Sequence, residues 1–284
     1  MEELAVQHQS ERGRFWAEVD GHTLELDYQR RGEQLIFHHT GTAPALRGRG
    51  LAAQLVQHAL QWAVPLGLQV LPVCSYVGAY VQRHPRWQRL LEPSAVQQVL
   101  NDWFGPLGSE SDGQIRTLWF QKSDATDAGI KERFAALIEQ ALAGELATWK
   151  ATPLGCLALI IVLDQFTRNA FRDSARAFAG DAQALQVALA VLESAHYVGL
   201  EPLQRWFVLM PLEHAEDGTI QQRSVGSFEA LAQADARLAD AADYARRHQQ
   251  VIARFGRFPH RNQALGRVSS AEELAYLAQP GSGF

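Results

Sequence analysis

Two textures of hydrophobic patterning divide the chain, and they meet near Glu92-Pro93. Upstream, apolar and polar residues alternate. Arg14-Phe15-Trp16-Ala17-Glu18-Val19 and Thr23-Leu24-Glu25-Leu26-Asp27-Tyr28 each predict a strand with one buried face. Asp20-Gly21 between them is a hairpin signal, because a tight turn needs residues that accept positive φ. Arg31-Gly32 then turns the chain into a third strand, Gln34 to His39, followed by a Gly/Pro loop from Gly41 to Gly50. From Leu51 to Val64 the spacing changes to three and four: Leu51, Leu55, Val56, Ala59, Leu60 and Ala63 predict a helix that Pro65-Leu66-Gly67 stops. Leu68 to Val73 reads as a fourth strand. Strand, helix, strand is a crossover, so the third and fourth strands should run parallel. A short helix around Tyr76–Arg83 closes this part.

Downstream of Pro93 the helical period dominates. Helices are expected over 94–103, 124–142, 153–168, 179–195, 201–213, 221–232, 237–254 and 270–278. Pro153 suits the first position of its helix, where a missing N–H costs nothing, and Gly144 and Gly199 lie past helix ends. No strict repeat of about 34 residues emerges, so the pattern indicates an all-α array and does not establish a regular solenoid. The expected organisation is therefore an α+β domain over 1–92, with antiparallel hairpins and a βαβ crossover, and an all-helical domain over 93–284.

Composition narrows the function classes. With 47% apolar and 20% charged residues in 284, the chain can bury normal cores and is not disordered. A net charge of −5 argues against a general nucleic-acid binder, which needs a basic surface. The longest strongly apolar run, Leu154 to Leu163, is far short of the ~20 residues that span a bilayer. Met1-Glu2-Glu3 lacks the basic start of a signal peptide, and Cys74 and Cys156 form neither a disulfide framework nor a metal-ligand spacing. A soluble, cytoplasmic protein with reduced thiols is expected, with neither nucleic acid nor membrane as a partner.

The most specific chemical signal is Arg47-Gly48-Arg49-Gly50-Leu51-Ala52, between a strand and a helix. Without side chains at Gly48 and Gly50, main-chain N–H groups can close around an oxyanion. The first turn of the helix adds unpaired N–H groups and a positive dipole end, and Arg47 and Arg49 add charge that suits phosphate. The pattern is neither a Walker A loop nor the three-glycine dinucleotide loop. Alternatively, it is a glycine-rich connection that simply opens a helix.

This stretch resembles the GNAT acyltransferase superfamily, whose Gln/Arg-x-x-Gly-x-Gly/Ala signature is met by Arg47, Gly50 and Ala52. More narrowly, residues 11–92 are similar to small single-domain GNAT-like proteins. The shared features are His39-Thr40-Gly41-Thr42-Ala43-Pro44 before the loop, Cys74-Ser75-Tyr76-Val77 at a strand end, and Tyr80-Val81 on the next helix. The resemblance implies acetyl-CoA as cofactor, its pyrophosphate at Arg47–Ala52 and its pantetheine between the splayed third and fourth strands. It also implies direct acetyl transfer to an amine, a small molecule or a protein. That reaction needs a base or water for the ammonium proton and a donor for the thioester carbonyl. Cys74, at the end of a parallel strand, is a candidate thioester contact or nucleophile, or else a small buried hydrophobe. His38 and His39 are adjacent, so only one can face the cofactor. His39 and Tyr76 join Cys74 as the catalytic candidates, and Tyr80 is another hydroxyl that could protonate the leaving thiolate.

The helical part carries polar stretches: Asp164-Gln165-Phe166-Thr167-Arg168-Asn169-Ala170-Phe171-Arg172, Pro211-Leu212-Glu213-His214-Ala215-Glu216-Asp217, and Arg254-Phe255-Gly256-Arg257-Phe258-Pro259-His260-Arg261-Asn262. Polar groups that follow a buried apolar run need partners. These stretches resemble an uncharacterised bacterial family of all-helical proteins with a TPR-like fold. Val99-Leu100-Asn101-Asp102-Trp103-Phe104-Gly105, Leu118-Trp119-Phe120, Ala177-Phe178-Ala179-Gly180-Asp181 and the closing Pro280-Gly281-Ser282-Gly283-Phe284 fit as well. Thr167 departs from that pattern, where proline is expected, and Asn101 is a smaller departure. The resemblance implies a fold and no reaction.

Three readings of these residues stand side by side. One is a pocket for a small anion or zwitterion, in which Arg168, Arg172, Arg257 and Arg261 face Asp164, Glu213 and Glu216, with Asn169, His214 and His260 beside them. Another is a metal site from Glu213, His214, Glu216 and His260, although the spacing is not that of di-iron bundles. The third is a salt-bridged network that fixes helix packing. The functional expectation is an acetyl-CoA-dependent N-acetyltransferase, with no resident metal, whose helical domain binds or presents the acceptor or a partner. The alternatives are an acyl-CoA-binding interaction protein without turnover, and an unrelated activity in the helical domain.

Overall fold

The computed structural model describes residues 4–281, which divide into two compact units at Asp112/Gly113. The division falls later than the change of texture at Glu92-Pro93, and hydrogen bonds explain why. The helix Ser94–Phe104 is tied back to the first unit: Ser94 Oγ donates to the Gly67 carbonyl (2.9 Å), and Gln97 Nε2 to that of Leu68 (3.2 Å). Buried Arg89 also donates to Asn101 Oδ1 and to the Gly105 carbonyl.

The first unit is built on a five-stranded mixed sheet of order β1-β2-β3-β4-β5. Its strands are β1 (Gln7–Gln9), β2 (Arg14–Val19), β3 (His22–Arg31), β4 (Gln34–Thr42) and β5 (Gln69–Pro72). β1 is short and wholly polar, so no alternation announced it. The β2–β3 turn has Asp20 at φ 53° and Gly21 at φ 70°, the double positive φ that the Asp-Gly pair foreshadows. β4 and β5 are parallel, joined by helix α1 (Leu51–Ala63) as the crossover expectation required. Phe15, Ala17, Leu24, Leu26, Leu35 and Phe37 meet Leu55, Val56, Ala59 and Leu60 in one apolar cluster. Each such large side chain contributes about 1.5–3 kcal/mol on burial, so this alternation holds the sheet on its helix. Past β5 come α2 (Ser75–Arg83), a 3₁₀ stretch (Pro85–Leu91) and α3 (Ser94–Phe104).

Two irregularities shape the site end of the sheet. Between β3 and β4 the register slips, Asp27 facing His39 while Tyr28 faces Phe37, so His38 is the extra residue of a bulge. The second is that pairing of β4 with β5 stops at Phe37 opposite Pro72, a residue with no N–H to give. β4 continues to Thr42, beyond the last residue of β5 that pairs with it.

Every element of the second unit among the described residues is helical. They are α4 (Asp124–Leu142), α5 (Pro153–Ile160), α6 (Thr167–Ala170), α7 (Asp181–Leu192), α8 (Pro202–Glu213), α9 (Gly218–Ala234), α10 (Ala239–Phe255) and α11 (Ala271–Leu277), with short 3₁₀ turns between. Side chains cap several starts: Ser123, Thr152, Asp217 and Ser270 each accept a first-turn N–H. Gly144 takes φ +77° after α4, as expected of a stop; Gly199 instead lies in the 3₁₀ turn Tyr197–Gly199. The expected single helix over 153–168 is interrupted by a π-helical stretch, Ile161–Phe166, before α6. That stretch is fully buried and carries Asp164 and Gln165.

Candidate functional site

In the first unit, the loop before α1 holds two glycines in the left-handed region. Gly48 and Gly50 sit at φ +78° and +77°, and nothing lies within 4 Å of where a Cβ would project. Glycine is needed here for the backbone angle and not for lack of room. Main-chain N–H groups from Gly48 to Ala52 find no acceptor among the described residues. Gly50 caps α1 without a side chain, so those N–H groups and the helix dipole remain available to a negative ligand. Arg47 Nε donates to the Thr42 carbonyl (3.3 Å), and Arg49 pairs with Asp20 (2.7 Å) at the surface, a screened contact that a phosphate can compete for.

Cys74 stands at the end of the β4–β5 seam. It precedes α2, and its sulfur lies 3.3 Å from Thr40 Oγ1. Burial pushes the thiol pKa up, but the Thr40 hydroxyl and the first-turn N–H groups of Val77 and Tyr76 outweigh it, leaving the thiol below its ordinary range. Tyr76 is exposed, whereas Tyr80 is buried and stacks on His84 at 4.0 Å. Burial raises the Tyr80 pKa, and the ring belongs to the core. The His38 bulge breaks the simple alternation expected for the two histidines, and both are exposed. His39 Nε2 is 3.8 Å from Glu25 Oε1, next to an ion-paired fork in which Arg14 binds Glu25 (2.5 Å) and Asp27 (2.6 Å). The sequence reading missed Glu25, Arg14 and Asp27; their common register across β2, β3 and β4 was the available signal.

In the second unit, the polar stretches do not form one pocket. Asp164, wholly buried in the π-helical stretch, accepts from His214 Nδ1 (2.8 Å) and Gln165 Nε2 (2.5 Å), and pairs with Arg168 Nη1 (3.0 Å). Burial opposes its charge, yet Arg168 and then His214 hold its pKa well below the carboxylate range. Asp181 bridges Arg168 (3.0 Å) and Arg261 (3.3 Å). It was overlooked as a site residue, although it opens a helix directly after Gly180 in a stretch the family resemblance had marked. Arg261 lies over the rings of Phe178 and Phe258. His260 is largely buried nearby; burial and then Arg261 push its pKa down to about 3.

The remaining expected pocket members go elsewhere. Asn169 and Arg172 reach α4 and share Asp127 (2.7 and 2.6 Å). Glu213 turns to His248 (2.9 Å), and Glu216 accepts the Phe258 N–H (2.8 Å) and pairs with Arg267 (2.8 Å). Arg257 forks onto Glu273 of α11 (2.7 and 2.9 Å). Asn169 and Arg172, three positions apart, reach one acceptor, while Arg172 and Glu216 lie past the ends of α6 and α8 and turn to other neighbours. The arrangement of Arg172 and Arg257 facing Glu213 and Glu216 is replaced by these separate pairs. Among the described residues no group of three or more His, Cys, Asp or Glu is disposed to hold a metal ion, and Glu213, His214 and Glu216 each take different partners. No helix among them is long and apolar enough to cross a membrane.

Comparison with known proteins follows the same two-part division. Residues 14–90 match a family described as GCN5-related N-acetyl-transferase, and residues 99–281 one described as bacterial protein of unknown function (DUF924). The chain is 31% identical over 90 residues to Protein NATD1 of Gallus gallus and of Mus musculus, covering 31% of this chain and 82% of each relative. Against Protein NATD1 of Homo sapiens the identity is 31%, over 80% of that protein. The solved structure of the protein of unknown function ATU0120 from Agrobacterium tumefaciens is 32% identical, with a TM-score of 0.57, covering 64% of this chain and 96% of that one. The chain thus belongs to the bacterial DUF924 family through its helical part and to the GCN5-related N-acetyl-transferase family, alongside the NATD1 proteins, through its N-terminal part.

Proposed function

We propose that the N-terminal unit is an acetyl-CoA-dependent N-acetyltransferase acting on an amine. The observation that carries this reading is the run of unpaired N–H groups from Gly48 to Ala52 at the head of α1, beside a strand that outruns its neighbour. Those N–H groups, with Arg47 and Arg49, would bind the pyrophosphate, and the free edge of β4 beyond Phe37 would line the pantetheine. Acetyl-CoA supplies an activated acetyl group as a thioester. His39, exposed and close to Glu25, is placed to accept the proton released by the amine. Tyr76, exposed at the head of α2, is the hydroxyl best placed to return a proton to the leaving thiol. Cys74, at the end of the β4–β5 seam, would be a thioester contact.

The helical unit would recruit or present the acceptor or a protein partner. Its helices α7, α8, α9 and α10 pack each on the next in chain order, which supports a TPR-like stack. Exposure of both His39 and Tyr76 favours a second reading, acyl-CoA binding without turnover, because an unshielded site protects no reaction from water. Isothermal titration of the full chain with acetyl-CoA tests the binding. Saturable binding abolished by Gly50→Glu supports both readings, and its absence rejects both. A panel of amines with acetyl-CoA then separates them by product formation.

A further inference from the structure

The N-terminal reading makes no use of the buried polar centre in the helical unit. Its core is a carboxylate–imidazole pair in which one partner is locked. Asp164 is 0% exposed, and Gln165, Arg168 and His214 satisfy it. With the carboxylate ionised, the proton between Asp164 Oδ1 and His214 Nδ1 belongs to the imidazole. His214 is therefore the Nδ1–H tautomer, and its Nε2 carries a free lone pair. Nothing among the described residues hydrogen-bonds to Nε2, and the side chain keeps 12% exposure, so this nitrogen is its outlet toward solvent. A base whose far nitrogen is fixed by a buried acid is the arrangement used to orient a proton acceptor.

The surroundings select the sign of a ligand. Arg168 and Arg261 share Asp181, and both guanidinium groups lie against Phe178. Arg261 is 6% exposed, and its buried Nε has no acceptor. A buried, charge-bearing donor left without an acceptor is costly, and an oxyanion is the group that satisfies it. Burial, with Arg168 next in weight, pushes the Arg261 pKa down to about 10. Burial likewise lowers the His214 pKa, which keeps the imidazole neutral at pH 7. Asp164 lies in the π-helical stretch, and such stretches are frequent at functional sites.

We propose that the helical unit contains a second site, in which His214 Nε2 accepts a proton from a small substrate bearing a carboxylate or phosphate group. Arg261 and Arg168 bind the oxyanion. Asp164 is a positioning residue that sets the tautomer and stabilises the imidazolium when it forms. No serine, threonine or cysteine hydroxyl or thiol is bonded to His214 among the described residues, so the proton comes from the substrate itself, whose conjugate base keeps the electron pair while His214 becomes the imidazolium.

The test uses the full chain and needs no variant to begin. Neutral, accessible imidazole nitrogen reacts with diethyl pyrocarbonate, and peptide mass spectrometry reads each histidine separately. Expected is carbethoxylation of His214 that slows about tenfold in millimolar inorganic phosphate or acetate, against chloride at equal ionic strength; the more protective anion identifies the oxyanion class. Unmodified His214, or modification indifferent to both anions, overturns the proposal. Long-range ¹H–¹⁵N spectra of the imidazoles then test the role of Asp164. His214 should appear as the Nδ1–H tautomer in the native chain and lose that preference in Asp164→Asn. A native chain already showing mixed tautomers contradicts the assignment even if the variant fails to fold. The readout sits at His214, so phosphate binding at the loop before α1 does not affect it, and the two sites succeed or fail separately.

Discussion

Cys74 donates its main-chain N–H to the Phe37 carbonyl at 2.8 Å, two residues past Pro72, the last residue of β5 to pair with β4. That bond closes the parallel seam. Beyond it, β4 runs on to Thr42, and the Cys74 sulfur is left facing Thr40 Oγ1 across the opening. One residue thus ends the parallel seam, caps the start of α2 and sets a thiol against Thr40.

The Thr40 hydroxyl is one of the groups that favour the thiolate. Thr40→Val removes it and should raise the Cys74 pKa, so reaction with iodoacetamide near neutral pH slows, while Thr40→Ser retains the native rate. A pH profile of alkylation, followed at Cys74 by mass spectrometry, checks this. Identical profiles for all three proteins would remove Thr40 from the account.

Two glycines should fail for opposite reasons. Gly50 has a left-handed φ and empty space around its missing Cβ, so Gly50→Ala costs about 1–2 kcal/mol of backbone strain and Gly50→Asn less. Gly180 has an ordinary φ of −92°, but a Cβ there would lie 2.2 Å from the Leu163 carbonyl oxygen in the π-helical stretch. Main chain cannot yield as a side-chain tip can, so Gly180→Ala should cost about 3 kcal/mol. Urea denaturation gives the order, and a Gly180→Ala variant more stable than Gly50→Ala contradicts it.

Much of this architecture is written in local pattern. Alternation from Phe15 to Leu26 and the triplet spacing from Leu51 to Ala63 are short-range consequences of which face is buried, so they can be read without partners. The two left-handed glycines before α1 are legible for the same reason, since their setting lies in consecutive main-chain groups. What escaped reading depends on distant segments. Nothing near Asn169 and Arg172 names Asp127 on α4 as their shared acceptor. The π-helical stretch lies inside a run so uniformly apolar that its period is invisible. The bulge at His38 is a property of the β3–β4 pair and leaves no trace in β4 alone.

That shared acceptor is a testable anchor. Asp127 takes a fork from Arg172 and the amide of Asn169, which together with burial set its pKa: burial raises it, and the two donors bring the net below the ordinary value. Asp127→Ala leaves both donors without an acceptor. The expected loss is about 1–2 kcal/mol, toward the lower end because Arg172 is about one-third exposed and partly rehydrated. Arg172→Ala and Asp127→Ala should each cost more alone than the double variant's excess over either. Strict additivity in urea melts would mean that Arg172 and Asp127 do not act together.

Acid should weaken the helical unit before its carboxylates protonate. His260 has a folded pKa pushed from 6.5 to about 3, chiefly by burial and then by Arg261, and His214 is lowered as well. Unfolded, each histidine takes a proton as pH drops below 6.5, while the folded form refuses it. The unfolded state therefore binds more protons, and stability falls as pH falls, from about 6.5 down to about 3 for His260. Each such group contributes a slope of up to about 1.4 kcal/mol per pH unit. Asp164 acts in a lower window: its folded pKa is depressed, so its stabilisation is intact above the unfolded value of 3.8 and lost only below it. Urea midpoints of the helical signal between pH 6.5 and 5 therefore isolate the histidines. His260→Gln should reduce the native slope in that interval, while a variant with the native slope would show that His260 is protonated as readily in the fold as out of it.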